Sequence, residues 1–560
     1  MRIFSTDHKV IGLQYAFTSL AFLLIGFLLI LLLRWHLAWP LDGIPMLETL
    51  VGRLRAPRGL LQPEFYLQLG AMHGTIMVFL AVVPLAVGAF GNYLVPLMVG
   101  APDMAFPRLN ALSYWLYLLA GLVMLSGFFL PGGAAQSGWT SYPPLANLAT
   151  GGQTLWLVGM FLLATSSLVG SLNIIVTIVQ LRAPGMTLMR MPFFLWAQLV
   201  TSFLLLLAFP PLQAAAVLQF MDRVAGTSFF MPTGLIVSGQ AVQASGGGSP
   251  ILWQHLFWFL GHPEVYVLIL PALGIVAEVL ACTTRKPLWG YRAMVGSALF
   301  IGVMSFLVWA HHMFLTGMGP TMSTFFQVTT MIISVPSVII VSALLLSLYG
   351  GSIRFTVPGL FALAFLPMFG LGGLTGLPLG LAATDIPLHD TYYVIGHFHY
   401  IVAPGTLFAL FAGIYYWFPK VTGRMMNERL GRVHFWGSFI GMNGIFFPMF
   451  LQGLAGMNRR LFDGGRTYEI FEGFDGSFRG QAWSAVFLGV VQLFFIVNLF
   501  WSLRRGAPAD RNPWRSTTLE WCTASPPPAH NFDTPPSVRR PPYEYTPADG
   551  DMHGVTQERE

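Results

Sequence analysis

The chain has 560 residues, of which 55% are hydrophobic and 9% charged, with a formal net charge of +6 and a mean hydropathy of +0.65. Soluble proteins have about 25% charged residues, so the composition excludes a soluble protein and indicates a polytopic membrane protein. Two cysteines, Cys282 and Cys522, are too few for a disulfide framework or a thiolate cluster, and nothing in the composition indicates a nucleic-acid partner.

Apolar stretches long enough to cross a bilayer, at roughly 20 residues each, recur along the chain. They lie near residues 15–34, 66–98, 111–131, 152–181, 191–220, 251–282, 288–316, 321–349, 357–382, 391–418, 431–453 and 480–503. We therefore predict an all-α polytopic membrane protein with about twelve transmembrane helices in residues 1–505. Residues 506–560 are Pro-rich and polar, which predicts an extended tail without a core of its own.

The loops between the predicted spans differ in charge. An even number of spans places both termini on one side, and most Lys and Arg residues of the loops fall on that side. The positive-inside rule then predicts cytoplasmic termini in a lipid bilayer. Arg459 and Arg460 are adjacent in a charge-poor loop on the other side. This pair indicates an anionic ligand near the membrane surface.

Histidines are concentrated in the apolar spans. Six of the thirteen lie there: His73, His262, His311, His312, His397 and His399. Ionisable side chains at membrane depth are costly and usually functional, and neutral imidazole is a ligand for iron, copper and zinc. The alternative interpretation is a set of core histidines that hydrogen-bond to neighbouring helices.

The spacing of these histidines limits which of them can share a metal. A helix advances about 100° per residue, so His397 and His399 are roughly 200° apart and face separate centres. His311 and His312 are close enough in angle to reach one ion, with His262 as a third ligand. Three imidazoles with an open position are a catalytic arrangement. The other three histidines then remain as axial ligands, a pair for one haem and a single ligand for a second.

Four segments resemble the signatures of haem–copper oxygen reductases, and the similarity extends from Thr6 to Trp521. They are Gly91–Asn110, Gly261–Tyr266, Trp309–Met313 and His389–Tyr400. The chain resembles most closely subunit I of the A family, whose cytochrome c oxidases contain two A-type haems. The resemblance implies that His73 and His399 bind a low-spin haem A, that His397 binds a high-spin haem A, and that His262, His311 and His312 bind the copper called CuB.

The same resemblance assigns roles to residues near the copper ligands. Tyr266 shares a helix face with His262, and in the family this pair is covalently linked and the tyrosine supplies an electron and a proton to oxygen. Glu264 is implied to relay protons, and Asp103 to form the mouth of a channel that leads to it. Polar residues implied or expected along that channel are Asn92, Asn110, Asn173, Ser166 and Ser167.

A second family channel is altered in this sequence. Ile340 occupies the place of its lysine and Ala277 the place of a serine, whereas Thr330 and Ser337 retain hydroxyl groups. Glu278, one residue beyond Ala277, is an acid to which the resemblance assigns nothing. Two alternatives follow: protons reach Tyr266 by a modified path through Thr330, Ser337 and Glu278, or all protons enter at Asp103.

Residues of the outer loops are implied to contact the haems and a magnesium ion. Arg459 and Arg460 resemble the pair that holds the haem propionates through bidentate contacts, and Asp385, His389 and Trp139 are expected near the high-spin propionates. His389 and Asp390 match two ligands of a non-redox Mg2+ site. Arg34 is expected at the formyl group of the low-spin haem, although an arginine that extends to the membrane surface has the same pattern.

The resemblance implies a terminal respiratory oxidase in a bacterial plasma (inner) membrane. It would reduce O2 to water, pump protons, and receive electrons from cytochrome c or a similar donor through subunit II, with further small membrane subunits. A quinol-oxidising relative is the first alternative, because Gln68 occupies a place that helps to bind quinone. A nitric oxide reductase, which needs additional glutamates, and a polytopic transporter are less consistent with the histidine pattern.

Overall fold

The computed structural model describes residues 3–243 and 246–545. Twelve long helical segments form the bundle in this part of the chain: α1 (His8–Ala38), α2 (Pro63–Val99), α3 (Pro107–Phe129), α4 (Gly151–Gln180), α5 (Phe193–Val224), α6 (Pro250–Thr284), α7 (Tyr291–Thr316), α8 (Gly319–Leu348), α9 (Val357–Leu379), α10 (Tyr392–Thr422), α11 (Glu428–Leu454) and α12 (Glu469–Arg505). All except α11 are long and apolar enough to cross a membrane. The predicted all-α, multi-pass fold is confirmed.

Proline and glycine set several helix boundaries. Proline is the first residue of α2, α3 and α6. At this position its lack of an N–H costs nothing, because the N–H groups of the first turn have no partner within the helix. Gly100 ends α2 with φ +80°, a left-handed conformation that side chains rarely adopt. Between α5 and α6, a small hairpin pairs β1 (Ile236–Val237) with β2 (Gln240–Ala241).

Several of the helices contain segments that are not α-helical, among them α2, α7 and α10. In α2 these are the π-helical segments Ile76–Val82 and Pro84–Ala89, and in α10 it is Val402–Leu407. The last part of α7, Trp309–Thr316, is a 3-10 helix. Ile76–Val82, Val402–Leu407 and Trp309–Thr316 lie close in sequence to predicted metal-ligating histidines or include them, as is frequent for such segments at functional sites. Nothing in the hydrophobic periodicity indicates these changes in winding.

The described part of the tail, residues 506–545, packs against one end of the bundle. Lys420 Nζ donates to Thr523 O at 2.8 Å, and Asn531 Nδ2 donates to Ala101 O at 2.7 Å. Leu519 and Trp521 are fully buried and belong to the main hydrophobic core. We call this end of the bundle the tail face, and the opposite end, with Arg459 and Arg460, the arginine face. Residues 546–560 of the predicted tail lie outside the described part of the chain.

Candidate metal centre and proton path

A cavity of about 1350 Å3 lies inside the bundle. Its walls include six histidines, one from α2, one from α6, two from α7 and two from α10: His73, His262, His311, His312, His397 and His399. The walls are otherwise largely aliphatic and aromatic. A cavity of this size with imidazoles from several helices has room for large planar cofactors held by axial nitrogen ligands.

Three imidazoles meet at one side of this cavity. His311 Nε2 lies 3.1 Å from His312 Nε2, which lies 3.3 Å from His262 Nδ1. Ligand nitrogens about 2.0–2.1 Å from a tetrahedral metal ion are separated by roughly 3.3 Å. Among the described residues, these three form the one group of three or more His, Cys, Asp or Glu side chains whose ligand atoms all converge within 4.8 Å. The residues therefore fit a copper ion with three imidazole ligands.

The other three histidines are oriented through their second ring nitrogen. His73 Nδ1 lies 2.8 Å from Gly26 O, His397 Nδ1 lies 2.9 Å from Gly372 O, and His399 Nδ1 lies 2.9 Å from Ile395 O. A carbonyl oxygen only accepts, so each Nδ1 carries the proton and each Nε2 has a free lone pair. This is the tautomer that metal-ligating histidines normally have, and it fits axial ligation of haem iron.

His397 and His399 have neighbours on different sides of α10. His397 contacts α9 through Gly372, whereas the ring of His399 stacks on Phe446 of α11 with centroids 4.4 Å apart. The two-residue spacing thus has the geometric consequence expected from helical periodicity. One helix presents imidazoles to two separate regions of the same cavity.

Aromatic rings surround the three-histidine group. The ring centroids of His262 and Tyr266 are 4.8 Å apart, one turn apart on α6. His262 Nε2 is buried and has no hydrogen-bond partner among the described residues. On the other side, Trp258 stacks on His312 with centroids 3.9 Å apart. Tyr266 therefore lies against the ring of His262, whose Nδ1 is directed at the other imidazoles.

The arginine face closes the cavity with charged side chains. Arg459 and Arg460 both line it, and Arg459 Nε donates to Asp390 Oδ1 at 2.6 Å. Burial, reinforced by the neighbouring Arg459, lowers the pKa of Arg460 to about 10, so this side chain remains a cation at neutral pH. Burial alone would raise the pKa of Asp390, but the two arginines outweigh it and lower the value. This cationic rim fits the carboxylates of haem propionates.

The remaining predicted contacts of this region also line the cavity: Asp385, His389, Trp139 and Arg34. His389 Nδ1 lies 3.0 Å from Asp385 Oδ2, so its ring is oriented by that carboxylate. Asp390, the second expected magnesium ligand, is engaged by Arg459. Arg34 donates to Gln481 Oε1 at 3.0 Å and is buried, so it does not extend to the membrane surface.

Glu264 lies between the large cavity and a second one. The small cavity, of about 50 Å3, is lined by Asn92, Ser166 and Ser167 from the predicted channel. Of the described residues, Glu264 alone lines both cavities. Both of its carboxyl oxygens are buried without a hydrogen-bond partner in the described chain. Such atoms normally bind ordered water.

Asp103 lies on the tail face in the loop between α2 and α3, and burial raises its pKa above the ordinary value. Asn173 Oδ1 accepts from Phe106 N at 2.9 Å, and its Nδ2 donates to Phe106 O at 3.0 Å. The structure thus gives Asn173 a different position from the expected one, since it holds the Asp103 loop and does not line the small cavity. Asn110 is buried, and neither polar atom of its side chain has a partner among the described residues.

The residues of the altered second channel lie in two different regions of the structure. Thr330 and Ser337 line the large cavity, and Thr330 Oγ1 lies 2.9 Å from His311 Nδ1. Ile340 is fully buried and is not part of that wall. Glu278 is not part of the wall either, because its hydrogen bonds join Phe194 N and Tyr543 Oη. Glu278 is thus separate from the part of the cavity wall that contains Thr330 and Ser337.

Sequence reasoning missed several polar residues of the small cavity, among them Ser113 and Tyr15. Ser113 accepts a hydrogen bond from Tyr15 Oη at 3.1 Å and donates to Asn110 O at 2.7 Å. Ser113 and Tyr15 line the cavity beside Ser166. Ser113 follows Asn110 by three residues and shares its helix face, so this spacing could have identified it. Tyr15 comes from α1, and no local pattern links it to the site.

Comparison with known proteins agrees with this arrangement. Residues 10–505 match the family model described as cytochrome c and quinol oxidase polypeptide I. A cytochrome c oxidase subunit 1 of Synechocystis is 46% identical, with 97% of this chain and 92% of that protein aligned. An alternative cytochrome c oxidase subunit 1 of Bradyrhizobium diazoefficiens is also 46% identical, over 97% of this chain and 90% of that protein.

A solved structure has the same fold. A chain from the cryo-EM structure of a heme-copper terminal oxidase dimer has a TM-score of 0.71 at 20% identity, covering 90% of this chain and 85% of that chain. Fold, histidine set and cavity define a membrane subunit of the haem–copper oxidase class. The chain belongs to the cytochrome c and quinol oxidase polypeptide I family, as subunit I.

Proposed function

We propose that the chain is the catalytic subunit of a cytochrome c oxidase that reduces O2 to water and pumps protons. The principal support is the convergence of three imidazoles in a cavity that also contains three histidines with free Nε2 atoms. His262, His311 and His312 would hold CuB, His73 and His399 a low-spin haem A, and His397 a high-spin haem A. When bound, these groups supply the electron transfer and the reduction of oxygen.

The side chains of this protein would transfer protons and hold the cofactors in place. Tyr266 presents a phenolic O–H beside the copper ligand His262 and would donate hydrogen to oxygen. Glu264 would pass protons from the small cavity to the large one, because its carboxyl group borders both. Asp103 would admit protons, which reach the small cavity past Asn110 and Asn92. Arg459 and Arg460 would neutralise the propionates, and His389 and Asp390 would contribute to a Mg2+ site completed by subunit II.

The side chains of the cavity wall support a cytochrome c oxidase over a quinol oxidase or a nitric oxide reductase. Gln68, on which the quinol alternative depends, donates to Gly132 O at 2.9 Å and does not line the large cavity. A nitric oxide reductase needs several glutamates at the metal, whereas Glu264 is the single glutamate among the described residues that line the large cavity. We propose that the tail face is cytoplasmic in a bacterial plasma membrane, and that subunit II and small subunits complete the enzyme with cytochrome c as donor.

An optical spectrum of the purified oxidase complex tests the proposal. The reduced-minus-oxidised difference should contain the bands of two A-type haems, which the pyridine derivative identifies, and metal analysis should give one copper in addition to those of subunit II. Oxygen uptake should depend on reduced cytochrome c. B-type haem in both sites, or turnover with quinol alone, would contradict it.

A further inference from the structure

Glu278 is a buried carboxyl group that the proposed function does not use. It lies on α6 near the tail face and is 2% exposed. Its Oε1 accepts from Phe194 N at 3.1 Å and from Tyr543 Oη at 2.5 Å. Tyr543 Oη in turn accepts from Phe193 N at 2.7 Å. The end of the tail therefore covers Glu278 and connects it to the first turn of α5.

Glu278 faces the same neighbouring helix as Glu264. The two residues are about four turns apart on α6 and differ by roughly 40° around its axis, whereas Glu278 and Tyr266 differ by roughly 120°. Contacts agree with this geometry, because Glu278 bonds to Phe194 of α5 and Glu264 shares the small cavity with Leu205 and Phe209 of α5. Glu278 is thus directed toward the side of α6 on which the small cavity lies.

One face of α5 connects the two carboxyl groups. Phe194, Gln198, Thr201, Leu205 and Phe209 follow each other at helical spacing and are all buried. Gln198 Oε1 and Thr201 Oγ1 have no hydrogen-bond partner among the described residues. Gln198 Nε2 donates to Ala86 O at 3.0 Å, on the segment of α2 that also forms the small cavity. Buried polar atoms without protein partners are sites where ordered water binds.

We propose that Glu278 is a second proton-entry group, which passes protons along α5 past Gln198 and Thr201 to the small cavity. The inference rests on the proposed function, since it concerns the protons that the oxidase consumes and pumps. The carboxylic acid releases its proton to water on the α5 side and takes one from water beneath the tail, so no other reactant is needed. Tyr543 is a positioning residue, because its hydroxyl group holds the carboxyl group against α5.

The alternative is that Glu278 only caps the first turn of α5, whose N–H groups have no partner within the helix. Glu428 offers a matched control, because its Oε1 accepts from Val357 N at 3.0 Å at the start of α9. Glutamine at either position keeps an acceptor oxygen but cannot exchange a proton. Thr201→Val and Ser202→Ala form a second pair, since the hydroxyl group of Ser202 already donates to Gln198 O at 2.8 Å.

The experiment measures proton uptake by the purified complex during a single turnover, with a pH-indicator dye, in an Asp103→Asn background. Adding Glu278→Gln should slow the residual uptake at least tenfold, and Thr201→Val should slow it in the same direction. Glu428→Gln and Ser202→Ala should leave the rate unchanged. An infrared carboxyl band that shifts in heavy water should also be lost in Glu278→Gln.

Equal uptake rates with and without Glu278→Gln, in a complex whose optical spectrum shows both haems, would overturn the inference while leaving the proposed function intact. Uptake unchanged by Asp103→Asn alone would contradict the Asp103 route instead. In that case the same tenfold loss is expected in the Glu278→Gln single variant, and its absence there would again overturn the inference.

Discussion

At the scale of single residues, the Nδ1 atoms of three histidines show how the Nε2 atoms are oriented toward the cavity. Three histidines donate Nδ1–H to backbone carbonyl groups, and this hydrogen bond sets both the tautomer and the direction of Nε2. The spacing of His397 and His399 indicates opposite directions, and the carbonyl partner of His399 is one turn back on the same helix, whereas the partners of His73 and His397 lie on α1 and α9. Helical periodicity can therefore predict the separation of two centres, but it cannot predict the partners that come from other helices.

Substitution of the two α10 histidines should remove different haems. His399→Ala should abolish the low-spin signal, because it removes the ligand next to Phe446, and His397→Ala should abolish the high-spin signal. Reduced-minus-oxidised spectra of both variants provide the measurement, with His434→Ala as a control for a buried histidine outside the cavity. Loss of the same haem in both variants would contradict the two-centre arrangement.

Replacement of Glu264 should stop turnover without loss of structure. Glu264→Gln keeps the size of the side chain, and neither carboxyl oxygen has a hydrogen bond to lose within the described chain. A neutral amide cannot relay a proton, so oxygen uptake should fall at least a hundredfold while the haem spectrum is retained. Proton release from vesicles containing the variant should fall in proportion. Normal pumping would show that protons bypass this carboxyl group.

At the scale of helices and loops, the local geometry of the site departs from regular α-helix. The sequence predicts the spans from their hydropathy, but the 3-10 segment with His311 and His312 depends on a change of backbone angle at Val308 (φ −124°). The side chains alone do not indicate that change. Likewise, Asn173 is expected along the channel from the sequence, which does not distinguish a channel wall from an anchor of the Asp103 loop, because both require a buried amide.

Loss of the Asn173 amide should loosen the Asp103 loop. Asn173→Ala would remove the hydrogen bond of the Phe106 N–H, which costs about 0.5–1.5 kcal/mol, while the Phe106 C=O keeps its bond from Asn110 N at 3.0 Å. We expect faster hydrogen exchange at residues 104–106 and slower proton uptake, whereas Ser171→Ala, on the same helix, should leave the exchange unchanged. Unaltered exchange in Asn173→Ala would mean that other contacts hold the loop.

The hydroxyl groups on α8 provide a separate prediction. Thr330, Ser334 and Ser337 share one helix face and line the large cavity. If they order water toward Tyr266, Ser337→Ala should slow reduction of the high-spin haem several-fold in stopped-flow absorbance. Ser323→Ala, on the same helix outside the cavity wall, serves as the control. An unchanged rate in Ser337→Ala would indicate that protons for this step do not pass along α8.

At the scale of the whole molecule, composition and periodicity predict the helical bundle and the histidine set, whereas the position of the tail is set by contacts between distant residues. A Pro-rich polar segment has the composition of an unpacked tail, yet Leu519 and Trp521 are buried in the main core. His8 Nε2 lies 3.0 Å from Asn531 Oδ1, so the two ends of the described chain meet at the tail face. Contacts between residues so far apart in the chain cannot be recognised from a local sequence pattern.

Removal of the tail should destabilise the whole bundle. A chain ending at Arg505 loses the burial of Leu519 and Trp521, each worth about 1.5–3 kcal/mol, and exposes Glu278. The thermal midpoint of the complex, followed by haem absorbance, should fall by several degrees. A chain ending at Tyr545 keeps every described tail contact and should have a higher midpoint than the chain ending at Arg505. Equal midpoints for the two truncations would contradict this role.

The packed tail also has a consequence for the order in which the protein is made. The histidines that line the large cavity are all translated before residue 506, so a ribosome that has just finished α12 has produced all of them without the tail that covers this end of the bundle. At about 5–20 residues per second, the forty or so residues to Tyr545 require roughly 2–8 s. During that interval the tail face is uncovered, so residues 506–545 can pack onto it only after the helices that contain the histidines have been made.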